Sequence, residues 1–291
     1  MADKDICIRA TAADGQIRAF VASSRLLANK AAAIHGTTPV ATAALGRLLT
    51  ASAIMGLMAG NDEDLITVSI KGDGPLGGLL ATTDGLGRVK GYVHNPKADL
   101  PPRADGKLDV GGAVGAGFIT VIKDLGLKEP YVGKLELISG EIAEDIAGYF
   151  LISEQIPSVL SLGVLVGRDC AVAAAGGFLL QAMPSHETNL IDRLEAKMRD
   201  FPPITGLLTA DKTPEDVLDL LLADFGYEIT GAAPVEYYCN CGKERILSAL
   251  VSLGRAEIDK IIQEDGQAEV NCHFCNTVYH FGRDELVELL P

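Results

Sequence analysis

Apolar residues alternate along Ile6 and Ile8 and again along Ile17, Ala19 and Val21, on either side of Asp14-Gly15. This pattern predicts an opening β-hairpin. The period then changes. Arg25 to His35 reads as a helix, and a second helix starts at Thr38-Pro39, a cap followed by a first-turn proline, and runs to Gly60. The second helix is so rich in Ala, Gly and Ser that neighbours can approach closely, which predicts a central place beneath a sheet. Strand patterns follow at Leu65–Ile70, Leu76–Thr82, Gly87–Val93, Gly117–Ile122 and Val132–Ile138, punctuated by Asp-Gly, Asn-Pro and Gly-rich turns. Asn95 to Val114, with Pro101-Pro102 and Gly111-Gly112, reads as a surface connection. A helix from Glu141 to about Gln155, capped by Ser139, is stopped by Pro157, and two long apolar strands, Val159–Val166 and Ala171–Gln181, complete the sheet.

The pattern changes again after Pro184. Asn189–Met198 and Glu215–Phe225, opened by Thr213-Pro214, are expected helices separated by proline breaks, with His186 at the entry to this stretch. Their stripe of Leu218, Leu221, Leu222 and Phe225 predicts that the segment lies on the main domain. From Pro234 onward, two short helices at Glu244–Leu253 and Glu257–Gln263 precede a turn within Glu269–Tyr279, flanked by short strands. The expected class is therefore α+β: a mostly antiparallel sheet packed with helices over residues 1–180, a helical connector over 181–232, and a small four-cysteine zinc domain over 233–291.

Charge narrows the partners. The chain of 291 residues carries a formal charge of −14, and residues 232–291 hold ten acidic against five basic residues. Nucleic acid and anionic lipid would be repelled over most of this surface. Met1 to Arg9 is charged and alternating, unlike a secretory leader, which predicts a cytoplasmic protein. Val40–Gly60 and Ser158–Ala182 are apolar enough to raise a membrane question, but Arg47 interrupts the first and Arg168-Asp169 the second, so buried helix and strand are expected. Gly111–Gly117 has no following Lys-Ser/Thr and does not match a phosphate loop.

The chemistry concentrates in cysteine. Four of the six fall as Cys239-x-Cys241 and Cys272-x-x-Cys275, with thirty residues between the pairs. Paired cysteines in a reducing compartment favour metal binding, and four thiolates from two knuckles make a tetrahedral zinc site with no open ligand position. Sixty residues with two short helices build little core, so zinc is expected to supply on the order of 10 kcal/mol of the folding energy. Thiolate is also a nucleophile, so the same residues can hold zinc when reduced and release it when oxidised. Lys243 and Arg245 lie just beyond Cys241, where they could favour thiolate, and His273 and His280 flank the second pair. Three readings stay open at this point: an inert zinc clip, a redox switch, and a thiol-disulfide oxidoreductase built on Cys272-x-x-Cys275. Cys7 and Cys170 are isolated in strand patterns and read as core residues. His94 near Asp99, and Ser139 near Glu141, lack a third catalytic partner, so no catalytic residue is assigned; His35 reads as a residue near a helix end.

The run Val235-Glu-Tyr-Tyr-Cys239-Asn-Cys241-Gly-Lys-Glu-Arg245, together with Cys272-His-Phe-Cys275-Asn-Thr-Val-Tyr279-His-Phe281, resembles the signature of the bacterial 33 kDa heat shock chaperone family, redox-regulated holdases. Asn95-Pro-Lys-Ala-Asp99, Ser139 to Phe150, Ser153-Glu-Gln-Ile-Pro157 and Gly176-Gly-Phe-Leu-Leu-Gln181 extend the resemblance over residues 5 to 285. It implies that Cys239, Cys241, Cys272 and Cys275 bind one zinc per chain when reduced. It further implies that oxidation joins Cys239 to Cys241 and Cys272 to Cys275, expels zinc, unfolds the small domain and destabilises the connector. The activated protein would then dimerise and hold unfolding client proteins without ATP.

Overall fold

The computed structural model of the chain describes residues 4–184, 187 and 189–289; His186, read as part of the connector's entry, lies outside them. Two compact units emerge, one ending at Tyr237 and the other starting at Tyr238. The first opens with β1 (Ile6–Ala12), β2 (Ile17–Ser23), α1 (Arg25–His35) and α2 (Pro39–Ala59). It continues through β3 (Leu65–Gly72), β4 (Leu79–Asp84), β5 (Arg88–Val93), α3 (Val110–Val114), β6 (Gly117–Asp124), β7 (Tyr131–Glu136) and α4 (Ala143–Ser153). Then come β8 (Ser158–Val166), β9 (Val172–Ala182), α5 (Leu190–Arg199), α6 (Ile204–Thr209), α7 (Pro214–Leu222), a 3-10 turn over Ala223–Phe225, β10 (Tyr227–Pro234) and β11 (Glu236–Tyr237).

These strands make two sheets. One has the order β10-β1-β2-β9-β8 and is antiparallel throughout; the other runs β11-β5-β4-β3-β6-β7, antiparallel except where β11 joins β5. Helix α2 packs between them, against β3, β4 and β5 of one sheet and β2, β8 and β9 of the other. The small residues of α2 make that position workable. A Cβ on Gly56 would fall 2.3 Å from the Asp84 carbonyl oxygen, and Ala43, Ala44 and Ala53 are wholly buried. Helix α2 has the length and apolarity to cross a membrane, yet 89% of that apolar window is buried inside the body. Thr38 caps it as predicted, accepting the Ala41 N–H, and Arg47 on its flank donates to Glu141 at 2.5 Å.

The central strands of the first sheet, β2 and β9 with most of β1, are buried on both faces. Cys7, Phe20 and Ala22 face α2 and the large core, whereas Ile8, Ala10, Ile17, Val21, Phe178 and Leu180 belong to a second apolar cluster. That second cluster is closed by the connector, whose Leu190, Leu194, Ile204, Val217, Leu218, Leu221 and Leu222 are all buried. Phe225 is half-buried against the same cluster, with Arg193 over its ring at 4.6 Å. Thr213 and Asp216 form a reciprocal cap at the start of α7.

The structure departs from the sequence reading at several points. No strand lies among the described residues from 187 to 225, but the boundary expected at 232 falls inside β10, which pairs with β1 from Ile6–Pro234 to Ala12–Tyr227. Asn95–Val114 is not wholly a surface connection, because it ends in α3, capped by Asp109, with Val110, Ala113 and Val114 buried. Ser139 does not cap α4. Asp145 does the work from inside the first turn, accepting the N–H groups of Ile138, Ser139, Gly140 and Ile142 at 2.7 to 3.2 Å. This carboxylate holds Ile142 at φ +71°, a strained value for a β-branched residue, while its side chain is fully buried. Cys7 is a core residue as expected, but Cys170 is not: it is exposed, at φ +63°, in the Gly167–Ala171 turn between β8 and β9. His35 bonds the Gly91 carbonyl from the end of α1.

The second unit contains α8 (Lys243–Val251), α9 (Arg255–Glu264), the hairpin β12 (Gln267–Asn271) and β13 (Val278–Gly282), and α10 (Arg283–Val287). Its buried apolar residues are Leu250, Ile258, Ile262, Phe281 and Leu286.

Candidate metal centre

All four cysteines of the paired motifs converge, with their sulfurs within 4.8 Å of one another. Cys239 and Cys241 enter from the strand-free segment before α8, and Cys272 and Cys275 sit on the tight turn joining β12 to β13. The turn is held by two backbone bonds, Cys272 N–H to the Thr277 carbonyl at 3.0 Å and Asn276 N–H to the Cys272 carbonyl at 2.8 Å. Asn276 takes φ +56°, a left-handed value that asparagine tolerates better than most residues. The short sequence after Cys275 is thus what folds the second knuckle back toward the first.

Two sulfur contacts cross between the knuckles, Cys239 to Cys272 at 3.7 Å and Cys241 to Cys275 at 3.2 Å. A tetrahedral zinc with bonds of about 2.3 Å spaces its sulfurs by roughly 3.8 Å, so this cluster fits a zinc-sized ion with little adjustment. No disulfide joins any two of the six cysteines in this structure.

The four sulfurs are not equivalent. Burial pushes the Cys239 thiol well up, and burial raises Cys241 as well. Burial acts upward on Cys275 too, but hydrogen bonding to Thr277, Cys241 and Cys272 outweighs it and brings this thiol down to about 7. Thr277 Oγ1 lies 3.1 Å from the Cys275 sulfur, and Tyr279 donates its hydroxyl to Cys241 at 3.1 Å. That donation, with some burial, lifts Tyr279 to about 12. Thr277 and Tyr279 are thus the sulfur-facing groups that spacing did not reveal; Tyr279 read only as a strand residue, and a polar residue two positions beyond Cys275 was the available signal.

Two of the four charged neighbours are otherwise engaged. Lys243 pairs with Glu285 and sits 5.4 Å from the Phe281 ring centroid, and His280 lies 3.4 Å from Glu269. The oxidoreductase geometry is not met at the second pair, because β13 and not a helix follows Cys275.

Fold and site together define an α+β protein whose C-terminal unit gathers four thiols capable of coordinating a metal ion. Comparison with known proteins takes this further. The family model described as "Hsp33 protein" matches residues 5–282. The 33 kDa chaperonin of Agathobacter rectalis is 50% identical over 98% of this chain and 99% of its own, and that of Clostridioides difficile is 50% identical over 99% of each. The crystal structure of the 33 kDa chaperonin, a heat shock protein 33 homologue, from Thermotoga maritima superposes with a TM-score of 0.88 at 37% identity, covering 99% of this chain and 98% of its own. The chain belongs to the Hsp33 family.

Proposed function

We propose that the protein is a redox-regulated, ATP-independent holdase for unfolding proteins, switched by Cys239, Cys241, Cys272 and Cys275. The observation that carries this reading is the convergence of all four thiols in a chain of this family. When reduced, these residues would hold one zinc ion, which supplies a tetrahedral crosslink between the two knuckles and no open ligand position. Oxidation would join Cys239 to Cys241 and Cys272 to Cys275, each pair of zinc-bound thiolates giving up two electrons to the oxidant as its S–S bond forms and the zinc ion leaving to solvent. A sulfur in a disulfide is a poor metal ligand, so the crosslink is lost with the thiolates.

The consequences follow from the small core of this unit. Five buried apolar residues do not hold more than fifty residues in place without the crosslink. Unfolding then reaches the connector through the chain it shares with β10 and β11. Releasing α5, α6 and α7 would uncover two apolar surfaces at once: the connector's leucines, and the sheet face formed by Ile8, Ile17, Val21, Phe178 and Leu180 beneath them. Apolar burial at about 25 cal/mol per Å2 is nondirectional, so such surfaces accept many clients. The oxidised chain would pair with a second copy, and the whole cycle suits the cytosol, where thiols are reduced until stress.

The test compares thermal aggregation of an unrelated protein in the presence of the reduced zinc form and of the peroxide-treated, zinc-free form, without nucleotide. Protection by the oxidised form alone is expected. Absence of protection by both would remove the holdase reading, and equal protection by both would remove the switch.

A further inference from the structure

A cleft of about 480 Å3 opens in the first unit, between the core-facing side of the first sheet and the far end of α2 with the β4–β5 turn. Its position is unusual for its chemistry. Arg9 lies on β1 directly between Phe20 of β2 and Gly231 of β10, on the same sheet face as Cys7, which is 2% exposed. An arginine is therefore placed on the face of the strand that otherwise builds the core. Among the described residues its guanidinium makes no ion pair or side-chain hydrogen bond, and a Cβ on Gly231 would crowd it at 3.2 Å.

The other end of the cleft has the opposite charge. Asp62 follows α2, and Glu236 begins β11, where its N–H binds the Gly87 carbonyl. Neither carboxylate has a side-chain partner among the described residues, whereas Arg88 beside them is committed to Asp84 at 2.7 Å. Phe20, Leu57, Leu86 and Pro234 line the space with apolar surface. The Cys7 thiol belongs to this wall; burial pushes it up to about 12, so it stays protonated and unreactive.

Five residue steps separate Gly231, the neighbour of Arg9, from Glu236, so the two charged ends are at most roughly 17 Å apart along the backbone. An extended peptide of up to about five residues spans that length. We infer that this cleft binds a short zwitterionic peptide with apolar side chains, its carboxylate on Arg9 and its ammonium between Asp62 and Glu236. Charge complementarity at the two ends fixes the direction of the peptide, and the apolar lining selects leucine-like residues without distinguishing among them closely. The site lies wholly within the first unit and does not depend on the thiol chemistry proposed above.

Calorimetric titration of the full reduced chain with trileucine, trileucine amide and N-acetyl-trileucine tests it. Trileucine is expected to saturate at about 1 mM or below, and each capped peptide to bind at least about tenfold more weakly. Arg9→Gln should bring trileucine down to the level of its amide while leaving the amide unchanged, and Glu236→Gln with Asp62→Asn should abolish the preference for a free ammonium. Amide chemical shifts in the unsubstituted protein should move at Gly60, Leu86 and Gly231, which keeps the test decisive if a variant fails to fold. No saturation, equal binding of capped and free peptides, or shifts confined to other residues would overturn the site.

Discussion

The body through Tyr237 and the unit beyond it are held together in different ways. In the body, α2 is wrapped by two sheets, and two large apolar clusters lie on opposite faces of the first sheet, one around α2 and one under the connector. The second unit buries Leu250, Ile258, Ile262, Phe281 and Leu286 and places four thiols where a core would otherwise be larger. A single chain thus contains one part with a large buried apolar area and another with a small core beside a cluster of four thiols.

The largest effect should come from the thiols. Replacing Cys239 and Cys272 together by serine removes one ligand from each knuckle and with it a contribution on the order of 10 kcal/mol. Zinc content should fall to background and the unit from Tyr238 should lose dispersed amide signals, while the body keeps its own cooperative unfolding transition. Retained zinc at one per chain would break the contrast between the two parts.

Next come the buried contacts that seat the connector. Leu221→Ala deletes a wholly buried side chain facing the first sheet and should lower stability by about 2–5 kcal/mol, read from urea unfolding of the body. Because it loosens the connector without touching the thiols, the variant should also protect clients partly while still reduced. Asp145→Asn is expected to cost about 2–3 kcal/mol, since a charged acceptor of four backbone N–H groups becomes a neutral amide.

The smallest effects are at exposed caps and pairs. Thr213→Ala removes a helix cap from α7 and should cost about 1 kcal/mol. Its partner Asp216 is held below the ordinary carboxylate value of 3.8 by hydrogen bonds from Thr213. A depressed value means the contribution is complete above the unfolded value and disappears as pH falls through the folded one. Glu285, lowered from 4.5 by its hydrogen bond to Lys243, follows the same sign in the second unit. Acid titration of the two units should therefore show both losses only below about pH 4.5, and Lys243→Met should flatten the second.

Local signals were the ones the sequence exposed. Thr38-Pro39 and the small residues up to Gly60 specify a close-packed helix regardless of what surrounds it, and Asp14-Gly15 specifies a turn. Strand β10 was hidden because Thr-Gly-Ala-Ala carries little alternation, and its partner β1 lies more than 200 residues earlier, so only tertiary pairing reveals it. Cys170 was misplaced because strand-like residues run on both sides of a turn whose geometry depends on Asp169 accepting the Ala171 N–H. The four thiols were legible from spacing alone. Their cross-knuckle approach, and the hydroxyls of Thr277 and Tyr279 beside the sulfurs, required the chain to be folded.

The central claim is that oxidation of the four thiols unfolds the second unit and then loosens the connector while leaving the packed body intact. Hydrogen exchange followed residue by residue, before and after peroxide treatment with a chelator, measures this directly. The account predicts near-unprotected exchange from Tyr238 to Leu289, strongly increased exchange in α5, α6 and α7, and unchanged protection in α2. Protection of the thiol unit that survives complete oxidation and zinc removal would contradict it.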